Sequence, residues 1–201
     1  LVPFSLSILV TLLVIPSFAR SPFCSLLFFN TTPLKRSWEN IDTLVFATYN
    51  VANIYGLRGK FIRTSATDFT PVYDKPAVPK SAEHVQQLRQ VINEMNADIA
   101  ILTEVESLAA LKTLSTETSS RYKSLLIEGN DGRGIDIGFL VKSDLPVETE
   151  VFSHKHIEWK DPVTNRKTRL FSRDLPVMLL KREGETIPFA MVFGMHAISQ
   201  R

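Results

Sequence analysis

Five residues of this chain have side-chain types suited to phosphate chemistry and stand where apolar runs give way to polar residues: Asn50, Glu104, Arg133, Asp136 and His196. A carboxylate such as Glu104 is a hard oxygen donor suited to Mg²⁺ or Mn²⁺, ions held by few carboxylates, with waters and substrate phosphate completing the shell. Asn50 can orient a phosphate oxygen or a neighbouring ligand, and His196 can bond a non-bridging oxygen or transfer a proton. Arg133 can meet a phosphate with two parallel N–H bonds, with Asp136 beside it as a second candidate substrate contact. Each also has a plain structural reading. Asn50 is then a turn former, Glu104 part of a solvated acidic turn with Glu106, Arg133 a solvated turn residue, Asp136 its partner and His196 a satisfied histidine at a strand end.

These residues need rigid elements behind them. LVFATYN, 44–50, is β-branched and aromatic in its middle and predicts a first strand ending at Asn50. DIAILT, 98–103, predicts a buried strand with Glu104 at its end, where ligands gather in α/β folds because the position is rigid yet open to solvent. Between them, the glycines and prolines of 56–80 predict a long loop, and Ser81 caps a helix to about Asn96 with Val85, Leu88, Ile92 and Met95 on one stripe. His84 and Arg89 fall off that stripe and read as solvated. Leu108, Leu111 and Leu114 mark a shorter helix, and further strands are expected at 122–128 and 135–141, with GNDGRG as the turn before the latter. Beyond Pro146, short β-like pieces at 147–152, 168–171, 177–180 and 187–195 are separated by turn signals and read as antiparallel strands. Alternating strands and helices followed by strands give an α/β class.

Composition sets limits. The 201 residues are 44% hydrophobic and 22% charged, enough for one domain with a sizeable core, and a net charge of +2 does not by itself point to nucleic acid. A single cysteine, Cys24, excludes an internal disulfide framework. Residues 1–19 are uncharged, with an apolar run at 6–15 and Ser17-Phe18-Ala19 before Arg20, and read as a signal peptide. That predicts a secreted or periplasmic protein; the alternative is a membrane anchor through the same residues. Residues 20–43 read as leader or linker, with the domain at 44–201.

The phrases ATYNVANIYG, DIAILTEVES, GNDGRGIDIGFLV, FSRDLPVM and VFGMHAISQR, in this order, resemble the endonuclease/exonuclease/phosphatase superfamily, the deoxyribonuclease-I-like enzymes. The resemblance spans 44–201 and covers the N-terminal portion of such a domain. It implies a four-layered α/β sandwich, two mostly antiparallel sheets flanked by helices, incomplete in this chain. It also implies hydrolysis of phosphate esters by direct attack of water on phosphorus with Mg²⁺ or Mn²⁺.

On that resemblance Asn50 matches the active-site asparagine after the first strand, Glu104 the metal-binding glutamate, with Thr103 where glutamine is usual, and His196 a catalytic histidine. Met195, Ala197 and Ile198 depart from the family's usual neighbours of that histidine. The GDxN-type and SDH-type motifs of the family's second half do not occur in the sequence. The expectation is therefore a phosphodiesterase or endonuclease-like hydrolase, inactive or impaired as this truncated chain, with a phosphate ester, nucleic acid among the options, as its partner. The alternative is a non-enzymatic remnant of such a domain with at most a binding role. A nucleotide-binding α/β domain is a weaker rival, since no GxGxxG follows a strand.

Overall fold

A computed structural model describes residues 36–38, 41, 43–55, 78–115, 121–131 and 134–197. The signal-peptide reading at 1–19, most of the 56–80 loop and Arg133 lie outside the described residues. The described chain is mixed α/β and mostly strand: β1 (Phe46–Ile54), α1 (Ala82–Met95), β2 (Ile99–Val105), α2 (Leu108–Ser115), β3 (Tyr122–Leu126), β4 (Asp136–Lys142), β5 (Val147–Phe152), β6 (Glu158–Lys160), β7 (Lys167–Arg169), β8 (Val177–Arg182) and β9 (Ala190–Phe193).

One four-stranded sheet has the order β1-β2-β4-β3, a second β5-β8-β9, and β6 and β7 form a separate two-stranded ribbon. β1 runs parallel to β2, a pairing that needs a crossover, and α1 supplies it. β4 is antiparallel to both neighbours. All seven of its residues are buried, as expected of a strand covered on both faces.

Two apolar clusters explain that burial. One packs α1 and α2, through Ile92, Leu111 and Leu114, against Ala100, Leu102 and Leu140. Gly138 makes room for α2, since a Cβ there would stand 2.7 Å from Leu111 Cδ2. The other cluster joins Ile99, Ile137, Phe139 and Val141 of the first sheet to Val147, Met178, Leu180 and Val192 of the second. α1 starts as its sequence dictates: the Ser81 hydroxyl accepts from His84 N at 3.3 Å, and the helix stops at Asn96, whose left-handed backbone ends it.

The edge of the domain lies earlier in the chain than residue 44. Trp38, within the 20–43 stretch read as leader, donates its indole N–H to Pro146 O at 2.9 Å. Its ring meets Phe189 edge-on at 5.0 Å, and Ile41 is buried in the second cluster. Arg36 reaches Asp98 Oδ1 at 2.8 Å. Asp98 is 3% exposed and also accepts from Val45 N at 2.9 Å and Lys142 Nζ at 3.1 Å. The start of β2 is thus tied to the segment before β1 and to the end of β4.

Most strands lie where the sequence pattern puts them, though β9 is shorter than the expected 187–195 and β3 ends before 128, and three further differences bear on the site and the ribbon. β1 continues through Ile54 rather than ending at Asn50, and β2 continues through Val105 rather than ending before Glu104. Both extensions come from bulges, over 51–53 in β1 and at Glu104 in β2, beyond which the ladder resumes. β6 had no apolar alternation to announce it, because its three residues are all exposed. No helix among the described residues is long and apolar enough to cross a membrane.

Candidate functional site

Glu104 stands inside β2 rather than after it. On the β4 side Thr103 pairs with Ile137 and Val105 with Asp136, so Glu104 is an extra residue with no counterpart in the ladder. On the β1 side Thr103 pairs with Asn50 and Val105 with Ile54, so that strand spends three residues where β2 spends one. Glu104 takes φ 68°, with Ala52 at 53° and Asn53 at 59° in the facing bulge. A left-handed backbone costs a residue with a Cβ roughly 1–2 kcal/mol. Three such residues at one point of a sheet are a strain that gathers at functional sites, where geometry is bought with stability.

Asn50 starts the β1 bulge. Its side-chain oxygen accepts from Ala52 N at 2.8 Å, a local turn that leaves the amide nitrogen to offer its two donors elsewhere. Asn50 is exposed and sits one register position before Glu104's bulge.

His196 follows β9 and meets Glu104: its Nε2 is 3.4 Å from Glu104 Oε1, with both side chains 13% exposed. Gly194 lets the strand end come this close. A Cβ there would lie 2.8 Å from Ile137 Cγ2 and 3.2 Å from Phe139 Cζ. His196 is further fixed through its backbone, whose carbonyl accepts from Arg173 Nη1 at 3.2 Å. Arg173 is in turn anchored by its Nε 2.9 Å from the buried carboxylate of Asp131.

His196 also borders a small open cleft, which Asp136, Arg173, Asp174, Ile127 and Pro176 line with it. Asp136 is buried, and its Oδ1 accepts from Gly129 N at 2.7 Å, which closes the turn from 129 to 136. Asp174 is occupied structurally: its oxygens accept from Ser153 Oγ at 2.8 Å and His154 N at 2.9 Å. Among the described residues no three His, Cys, Asp or Glu side chains form a group able to hold a metal by themselves.

The structure therefore brings Glu104 and His196 together, sets Asp136 in the cleft that His196 borders, and places Asn50 beside the Glu104 bulge. Arg133 lies outside the described residues. Arg173 and Asp131 are the additions. A signal for Arg173 was present in the sequence, since it lies within FSRDLPVM, but an arginine in a polar turn looks solvated until its carboxylate partner is seen. Compared with protein-family models, with curated proteins and with solved structures, the chain gives no match.

Proposed function

We propose that this chain carries the site of an exported, divalent-metal-dependent hydrolase of phosphate esters, built on the α/β sandwich of the endonuclease/exonuclease/phosphatase type. The observation that carries the reading is the meeting of Glu104, in a strained bulge, with His196, from a strand end far along the chain. Two sheets that share an apolar cluster, with helices on the outer face of the first, support the sandwich. The uncharged apolar start of the chain supports export.

The donor set fits a water-rich Mg²⁺ or Mn²⁺ site. Such ions need only one or two carboxylates, and Glu104 meets that minimum with a hard oxygen donor at the rim of the sheet. An ion held there supplies charge neutralisation on phosphoryl oxygens and on the leaving group. The protein's own groups do the rest. His196, its main chain held by Arg173, donates to a non-bridging oxygen or moves a proton, and the Asn50 amide nitrogen donates to a phosphate oxygen. The bulges fix Asn50 and Glu104 on strands rather than loops, which keeps them near a productive geometry before substrate arrives.

The test is a panel of phosphodiesters and phosphomonoesters incubated with and without EDTA, using the full-length protein and its Glu104→Gln variant. Hydrolysis that EDTA stops and Glu104→Gln lacks is the expected result. Hydrolysis unchanged in Glu104→Gln overturns the assignment, and no hydrolysis on any ester favours the non-enzymatic alternative.

A further inference from the structure

Residues 154–173 hold six lysines and arginines against two acidic residues, in a chain whose formal charge is only +2. Four of these charged residues form one face of the β6–β7 ribbon. Glu158 pairs with Arg169 and Lys160 with Lys167, and in a ribbon cross-strand partners and residues two apart share a face. That face therefore carries three cations and one carboxylate. Glu158 is 3.2 Å from Lys167 Nζ, but the two side chains are 60% and 69% exposed, so water and a competing anion displace the contact at little cost. The other face carries Trp159 and Thr168 and continues into Ile157 and Leu170, all but Thr168 being large exposed apolar residues.

The basic face is connected to the cleft. Arg169 donates to the Asn130 side-chain oxygen, and Asn130 Nδ2 donates to Lys155 O at 2.7 Å. The next residue, Asp131, holds Arg173, which in turn holds His196. Among the described residues the side chains of the apolar face make no such hydrogen-bonded link. Three cations on one ribbon face, one of them bonded to the residue beside Asp131, offer charge complementary to a polyanion with regularly spaced phosphates.

We propose that the basic face of the β6–β7 ribbon, Lys160, Lys167 and Arg169, carries the phosphodiester backbone of a nucleic acid toward the cleft at His196. What happens in the cleft rests on the phosphoesterase reading; capture of the strand by the ribbon does not. The contacts are to phosphates, so binding is indifferent to sequence and steeply dependent on salt.

The experiment titrates the 201-residue chain against a fluorescein-labelled duplex of random sequence in EDTA, over a range of KCl concentrations. The Lys160→Gln/Lys167→Gln double variant is expected to reduce the slope of log K against log salt by about 2, one phosphate contact for each lysine, and to weaken binding by roughly tenfold. Glu158→Gln, which removes the one carboxylate from the same face, is expected to tighten it. Thermal melting of each variant separates lost binding from lost folding. Parent-like affinity and slope in a folded double variant overturn the proposal. So does binding to phosphatidylserine vesicles that Trp159→Ala removes, with no binding to the duplex, which assigns the ribbon to a lipid surface. Cleavage of bis(p-nitrophenyl) phosphate with Mg²⁺ or Mn²⁺, measured alongside, reports on the phosphoesterase reading by itself. Duplex binding that follows the lysine variants upholds the ribbon whether or not that small diester is cut.

Discussion

Glu104 Oε1 and His196 Nε2 are 3.4 Å apart at the end of the first sheet, and the carboxylate belongs to a residue at φ 68°. The contact and the strain are one arrangement. An unbulged β2 would continue the alternation of its side chains, whereas the extra residue shifts the chain by one position and changes which side chain lies at the rim.

Glu104→Ala and Glu104→Gly both lose this contact and both should lose metal-dependent hydrolysis. They should differ in stability. Only glycine adopts a left-handed backbone without steric cost, so Glu104→Gly should be about 1 kcal/mol more stable than Glu104→Ala. Urea denaturation of the two variants measures the difference; a glycine variant less stable than the alanine one would mean that position 104 carries no backbone strain, since glycine then adds only its unfolded-state entropy.

Arg173 positions His196 through the main chain and should act through it. Arg173→Lys keeps the charge but cannot hold the Asp131 carboxylate and the His196 carbonyl with one planar fork. A displacement of His196 by about 1 Å should lower kcat by as much as ~100-fold, with a smaller change in KM on a small diester. A change confined to KM would instead make Arg173 a simple anchor for substrate.

Asp98 makes the fold sensitive to acid. Burial pushes its carboxyl up, but the Val45 N–H, Arg36 and Lys142 together outweigh that and hold it below the usual carboxylate range. A carboxyl with a lowered folded pKa adds stability above its unfolded pKa, and that stability is lost as pH falls through the folded value. Stability should therefore decline below about pH 4. Asp98→Asn should be roughly 3 kcal/mol less stable at neutral pH, because Lys142 is left buried without its counter-charge, and should show a flatter acid limb. Denaturation midpoints from pH 7 downwards give both quantities.

Gly129 is a packing constraint on the cleft. A Cβ there would stand 2.8 Å from Asp136 Oδ1 and 2.9 Å from Asp174 Cβ. Gly129→Ala should cost about 1–3 kcal/mol and loosen the bond that closes the turn. Calorimetry gives the cost, and small-diester hydrolysis shows whether the cleft wall moved with it.

The elements were largely legible in the sequence and the site only in part. α1 and α2 follow from apolar stripes at helical spacing, and β2 and β4 from buried runs, because one-sided or two-sided burial leaves a period in the residues themselves. The Glu104 bulge left none. Thr-Glu-Val alternates polarity no differently from a strand end, and nothing local marks a non-glycine residue for positive φ. The meeting of Glu104 with His196 depends on how the second sheet sits against the first, which no local pattern encodes. β6 escaped notice because both its faces meet water, so its pairing with β7 rests on backbone bonds and charge rather than on apolar alternation.

The packing of Arg36 and Trp38 bears on where the chain tolerates cleavage. Arg36 is one of three donors to a buried carboxylate, and Trp38 covers the cluster that the two sheets share. A proteolytic cut between Trp38 and Leu44 would sever a counter-charge and an aromatic plug together from the strands they brace, so the cluster between the sheets would open from that end.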